Sequence, residues 1–215
     1  MADRNVEVLT PATSFDLMTL DEFKIALNIT GTAQDPLLQS ILDRVSDEVA
    51  RLCNNRIFGK EGVVETFSEI PEDCHRLFLA RYPVHAADIN SFDNNGAALT
   101  LANGDFMLDS QWGKITLNSG TFVDQTEINY TGGWNIPAET PPALKQAVVM
   151  IGRETYYATL RGDATVRMIG HKESRIIYFD PNILARSMAG GATVGGTPAM
   201  RAAHDLLVHF TRYEA

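Results

Sequence analysis

Two cysteines in 215 residues are too few for a fold held by disulfides. Cys53 closes an apolar helical pattern and Cys74 sits in a polar loop, with no CxxC pair, so both are expected as free thiols rather than as a bridge. Long apolar runs are missing too, since no stretch nears the roughly 18 residues needed to cross a bilayer. The start, MADRNVEVLTPATSF, has no compact apolar stretch ahead of a small-residue cleavage site. A secretory signal is therefore not expected, and the chain is expected to stay in the cell that makes it. Basic charge is scarce: 18 Lys and Arg stand against 27 Asp and Glu, a net of −9. That balance counts against a general nucleic-acid binder, which needs cations to displace counterions from phosphate.

The signatures of catalysis are also missing. There is no GxSxG, no HExxH and no GxxxxGK[ST] phosphate loop. The glycines of GGATVGG lie in a small-residue stretch, Ser187 to Pro198, without a buried strand before them, which makes a linker and not a phosphate cradle. His204 and His209 fall five apart, so on a helix they diverge by about 140° and cannot share a metal. Asp105 and Asp109 could share one face of a strand and hold a cation, but isolated acids on hairpins are usually solvated. Tyr156 and Tyr157, with Arg161, are the nearest approach to a stacking platform; consecutive residues point about 100° apart on a helix, so one should pack inward and the other outward. Trp112 and Trp134 each neighbour turn residues, which suits packing at a sheet edge better than a sugar platform. No catalytic residue, metal ligand or cofactor is assigned.

What is present is a change of period along the chain. Residues 1–18 are short on periodicity and read as an N-terminal arm. TLDEFKIALNI then carries a capping box, Thr19 with Glu22, ahead of a short helix. DPLLQSILDRVSDEVARLC restarts the pattern with Asp35 as expected N-cap and Pro36 at the first helical position, where its missing N–H costs nothing. Leu37, Ile41, Val45 and Val49 recur every four residues, an amphipathic helix. From Glu61 to Thr131 the period becomes two, in short runs separated by Asn, Asp, Gly and Pro, with Asn95-Gly96 and Asn103-Gly104 as hairpin turns. The helical period returns at Leu144, Val148 and Ile151, and this second long helix should end near Arg161-Gly162. SRIIYFD, Ser174 to Asp180, reads as a single strand with no obvious local partner, and PAMRAAHDLLVHFTRY as a last helix. Between sheet and second helix, YTGGWNIPAETPP reads as a junction. Gly132 and Gly133 supply backbone freedom, Trp134 plugs a corner, and Pro141-Pro142 start the helix.

The expected class is α+β. A helical framework of two long helices, a short capped helix and a C-terminal helix carries an antiparallel sheet or small barrel inserted between the long helices. The expected divisions are 1–18, an arm; 19–60, the first part of the framework; 61–134, the β insertion; 135–173, its second part; and 174–215, a strand, linker and helix forming a docking arm. Charge is uneven: residues 63–140 carry 11 acids and 3 bases, whereas residues 141–215 carry 6 acids and 9 bases. Solvated surface accounts for this, and the alternative is that the two halves face different partners.

This order of elements, with DPLLxxILxxVSDEV, then LFLARYPV, then INYTGGW…PPALKQAV, then LLVHFTRY, resembles the long form of the tailed-phage head-tail connector, or adaptor, family. The segment after Arg161 is longer and richer in glycine than in short members. The resemblance implies a structural protein of the virion neck, made in the bacterial cytoplasm. It would form a twelvefold ring beneath the portal of a DNA-filled capsid and present a platform to a stopper or tail protein. DNA would pass through without sequence-specific binding, and no membrane or cofactor is involved. Portal docking is expected from Arg175, Ile176, Ile177, Tyr178 and Phe179, where a lone strand could join a partner's sheet, and from Leu206, Leu207, Phe210 and Tyr213. Ring-helix packing is expected from Leu37, Ile41, Val45, Val49, Leu144, Val148 and Ile151. The alternatives are a head-completion stopper or other tail component, a carbohydrate-binding module using Trp112 and Trp134, and an enzyme with a dispersed site.

Overall fold

A computed structural model describes residues 3–161, 166–169, 176–178 and 198–211. The order of elements is β1 (Asp3–Thr10), α1 (Leu20–Leu27), α2 (Asp35–Leu52), β2 (Glu61–Ser68), β3 (Arg76–Phe78), β4 (Ile89–Asn94), β5 (Ala97–Ala98), β6 (Phe106–Asp109), β7 (Lys114–Leu117), β8 (Thr126–Gly132), α3 (Pro142–Arg161), β9 (Val166–Ile169), β10 (Ile176–Tyr178) and α4 (Pro198–Leu207). They form two units, a β unit of Met1–Phe15 with Asn55–Thr140 and a helical unit of Asp16–Asn54 with Pro141–Tyr213. The α+β class is as expected, with the β strands inserted between the two long helices.

In the helical unit α1 begins with the capping box in full. The Thr19 hydroxyl accepts from the Glu22 N–H at 3.2 Å, and the Glu22 carboxylate accepts from the Thr19 N–H at 2.9 Å. Lys145 donates to the other Glu22 oxygen at 2.6 Å, a bond that holds this carboxyl below its ordinary pKa and ties α3 to α1. Helix α2 differs from expectation at its start: Gln34 is the cap, and Asp35 is the first helical residue. The Asp35 carboxylate accepts instead from Lys24 at 2.7 Å, so its charge links α1 to α2 rather than closing its own helix. The inward stripe of α2 is Leu38, Ile41, Leu42, Val45, Ser46 and Val49. Leu144, Ala147, Val148 and Ile151 of α3 are buried with them. Where α1 and α3 come closest, Gly152 leaves no room for a side chain, since a Cβ there would sit 2.6 Å from the Phe23 ring. Helix α4 belongs to this unit and packs on α3, with Ala203 and Leu207 fully buried. The region expected as a docking arm thus contributes to the protomer's own core.

The β unit holds an antiparallel five-stranded sheet in the order β1-β2-β8-β4-β5 and a separate three-stranded sheet, β3-β7-β6, in place of a closed barrel. Residues expected as an arm form β1, the edge strand, paired along β2 from Asp3↔Ser68 to Thr10↔Gly62. Asn95 and Gly96 both have positive φ and close the β4–β5 hairpin, as a tight turn demands. The core gathers Val63, Phe67, Leu79, Ile115, Phe122 and Ile128, and Phe92 stands edge-on to Phe106 with ring centres 4.9 Å apart. Strand Ile176–Tyr178 is not alone, contrary to expectation. It pairs antiparallel with Val166–Ile169, whose backbone groups take up the ladder that a lone strand would leave open.

Gly152→Val forces a branched side chain into the Phe23 ring. It should lower unfolding stability by about 1–3 kcal/mol in urea titration. Adding Phe23→Leu, which vacates part of that space, should recover some of the loss.

Candidate functional site

The junction after β8 is built by close approach of backbone. Gly132 packs on Arg81, whose carbonyl would lie 2.5 Å from any Cβ at that position. Gly133 has φ +103°, and a side chain there would strike the Gly59 carbonyl. The Gly133 N–H donates to the Pro83 carbonyl at 2.9 Å and the Trp134 N–H to the Phe58 carbonyl at 2.8 Å. Past this point the chain reaches Pro141, whose carbonyl accepts from Leu144 and Lys145, and α3 starts on Pro142. The stretch is a structural corner, as its glycines and prolines suggested.

Trp134 joins an aromatic cage around Arg56. The guanidinium carbon lies 3.6 Å from the Tyr82 ring centre, 4.7 Å from that of Trp134 and 5.1 Å from that of Phe58. Arg56 also donates to the Tyr82 carbonyl at 2.7 Å. A buried cation is tolerable here because three π faces and a carbonyl replace its water. Trp112 packs on Tyr82 with ring centres 6.4 Å apart. Both indoles therefore have packing roles. The surface that Trp134 retains lines a cleft of about 280 Å³ beside Thr10, Pro11, Ala12 and Lys60.

The inward face of β2 reads Glu61, Val63, Glu65, Phe67, two carboxylates among core residues. Glu65 is fully buried; its Oε1 accepts from the Tyr130 hydroxyl and, at 2.7 Å, from the Ala80 N–H, while Oε2 has no hydrogen-bond partner. Burial pushes the Glu65 carboxyl above its ordinary pKa, against the pull of these donors and of Arg4 and Arg81. It raises the Tyr130 hydroxyl as well, and the Glu65 charge adds to that rise. Glu61 accepts from Arg81 Nε at 2.6 Å, and the Arg81 N–H donates to the Tyr130 hydroxyl at 2.9 Å. This network fastens the loop after β3 to the sheet. It faces the core, and none of it was singled out in the sequence, where period-two strands predict apolar residues inward.

The residues weighed for chemistry have local structural roles. Asp105 accepts from the Thr100 N–H at 2.7 Å, and Asp109 accepts from the Trp112 N–H at 3.4 Å. Among the described residues no group of three or more His, Cys, Asp or Glu is placed to hold a metal ion. Cys53, buried, and Cys74, half-buried, are not joined in a disulfide. Tyr156 is buried, with its hydroxyl 2.5 Å from the Gln34 side chain, while Tyr157 is exposed.

Of the residues expected to pack helices in a ring, Ile41, Val45, Val49, Leu144, Val148 and Ile151 are buried inside the helical unit, and Leu37 faces solvent. Buried side chains have no surface to offer a neighbouring copy. Ile176, Ile177 and Tyr178 make up β10, Leu207 is buried, and Leu206 and Phe210 are half-buried. Arg175, Phe179 and Tyr213 lie outside the described residues, as does the glycine-rich run apart from Pro198.

The raised Glu65 pKa sets a pH dependence. Between the ordinary carboxyl pKa and the raised folded value, the folded chain binds one proton more than the unfolded chain, so its stability falls as pH rises through that window and is flat above it. Glu65→Gln keeps the acceptor for Tyr130 and Ala80 without the charge. Urea midpoints from pH 4 to 8 should decline less steeply for this variant, and at pH 8 it should be at least as stable as the parent.

Residues 17–97 match the family described as phage gp6-like head-tail connector protein. No curated protein matches the chain. Three solved structures share the fold over 98% of its length. One is a chain of the neck of an empty gene transfer agent particle computed with sixfold symmetry, at 16% identity and TM-score 0.55, with 97% of that chain covered. A second belongs to the virion of a native gene transfer agent particle, at 15% identity and TM-score 0.55, with 96% covered. The third is from the neck of the native particle computed with twelvefold symmetry, at 13% identity and TM-score 0.51, with 97% covered. The resemblance drawn from the order of elements is borne out: over residues 17–97 the chain carries the pattern of a phage gp6-like head-tail connector, within a fold shared almost end to end with chains of these particles.

Proposed function

We propose that the chain is a structural connector of a virion neck, present as a homo-oligomeric ring, twelvefold in symmetry, between the portal of a DNA-filled capsid and a stopper or tail protein. The observation that carries this reading is the coincidence of the family match over residues 17–97 with a fold likeness covering 98% of the chain. A role without turnover agrees with a structure in which buried Arg56 and Glu65 hold backbone groups of Tyr82 and Ala80 and buried Glu61 is paired with Arg81.

The distribution of charge supports the same reading. Residues 63–140, most of the β unit, carry 11 acids against 3 bases. An acidic surface repels phosphate and would keep a passing duplex from sticking. The basic balance from residue 141 onward suits a different, more acidic neighbour, and the portal is the partner assigned to it. Docking through β10 and the end of α4 would use Leu206 and Phe210, which keep some surface. A sugar-binding role is disfavoured by the packing of Trp112 on Tyr82 and of Trp134 on Arg56.

Negative-stain images of the purified chain mixed with portal should show portals capped by a ring of this protein, absent when the portal is omitted or replaced by tail tube. Leu206→Asp with Phe210→Asp, at half-buried positions, should lower unfolding stability in urea titration by about 1–3 kcal/mol, leave the chain folded and remove the cap. A cap on the tail tube, or on neither, would overturn the reading.

A further inference from the structure

Strand β1 closes one side of its sheet and leaves the other side open. It pairs with β2 along one edge, and among the described residues no strand lies along the other. An uncovered edge of eight residues presents a row of backbone donors and acceptors to any strand that can pair with it. Val6 and Val8 stand opposite Glu65 and Val63, on the side of the core, and Val8 is 44% exposed. Asp3, Asn5 and Glu7 stand opposite Ser68, Thr66 and Val64 on the outer side, and all three are exposed. The cation of β1, Arg4, is on the core side and donates to the Phe78 carbonyl at 3.2 Å. The outer side of β1 therefore carries acids and no base. A strand that fits this edge alternates, with a base opposite Glu7 and an apolar residue on either side of it.

Strand β9 has that alternation. It reads Val166, Arg167, Met168 and Ile169, a base between two apolar residues and no acid. It pairs with β10 in a two-stranded sheet separate from that of β1, so one edge of β9 is open among the described residues. Two strands alone are marginal in water until a third strand or another surface joins them. A ring of identical copies needs a head-to-tail contact in which two different patches of the same chain meet. Two open strand edges of matching pattern, carried by one chain, satisfy that requirement.

We propose that β9 of one copy adds to the free edge of β1 of the next, with Arg167 of one copy opposite Glu7 of the next and Val166 and Met168 beside Val6 and Val8. The occupant of the β1 edge is thus a second copy of this chain. Main-chain pairing holds it, and the alternation selects it. The Arg167–Glu7 pair fixes the register, because a slip by one residue would carry the base to the core side. Strand β10 keeps its other edge for the portal. The proposal rests on the ring reading above and names the contact that closes the ring.

The test uses particles assembled with the full chain. Glu7→Arg and Arg167→Glu should each remove the ring from particle necks while the purified chain keeps its urea midpoint, and the two together should restore it. Glu7→Cys combined with Arg167→Cys should give a ladder of disulfide-linked oligomers under oxidising conditions, and either single variant should not. Necks with no ring of the unmodified protein would overturn the connector reading itself. A ring that persists in both charge reversals, a double reversal that stays without a ring, or a paired cysteine variant without a ladder would leave the connector reading standing and overturn this contact. Amides of β1 protected from hydrogen exchange by portal alone, with no ring formed, would do the same.

Discussion

The β unit depends on how tightly the segment from Ala80 to Pro83 is held over the ends of β2 and β8. Four consecutive residues are gripped by four different groups. Glu65 takes the Ala80 N–H, Tyr130 the Arg81 N–H, Arg56 the Tyr82 carbonyl, and the Gly133 N–H reaches Pro83. Gly132 lies against Arg81 with no space for a side chain. A loop crossing a core would otherwise bury unsatisfied peptide groups, each costing about 1–3 kcal/mol, so the polar residues on the inward faces of β2 and β8 are its condition for existing. Other features follow from the same constraint: the glycine pair, the aromatic cage that shields Arg56, and a carboxyl deep enough to resist ionisation.

The helical unit is organised by a different principle. Charges at helix ends tie its elements together, Lys145 to Glu22 and Lys24 to Asp35, while apolar stripes fill the space between. The inward stripes of α2 and α3 are consumed within the protomer, and the outward faces of these helices are exposed.

Much of this was legible. The capping box at Thr19 and Glu22, the period-four stripe of α2, the Asn95-Gly96 turn, the inward and outward tyrosines of α3 and the Gly132-Gly133 junction all rest on local geometry, which a few adjacent residues settle. Departures came where a distant partner outcompeted the local rule. Asp35 was expected to cap its own helix, but Lys24 offers its carboxylate an ion pair. The first residues lack helical period and were expected as an arm, but β2 offers them a ladder. Ile176 to Tyr178 was expected alone, but Val166 to Ile169 lies close enough to pair.

The sequence by itself determined the succession of helix, strands and helix, the turn positions and the acidic middle, because period, capping and composition act within a few residues. It also determined the family likeness, through the order of those pieces. Only the tertiary structure decided that Glu61, Glu65 and Arg56 belong to the interior, since a polar residue at an inward position is tolerable only when a partner far along the chain meets it, and pairing across dozens of residues leaves no local trace. It decided as well that the stripes of the long helices are spent within one copy, leaving Arg153, Tyr157 and Leu160 outward, because burial is a property of what packs against a helix and not of the helix alone.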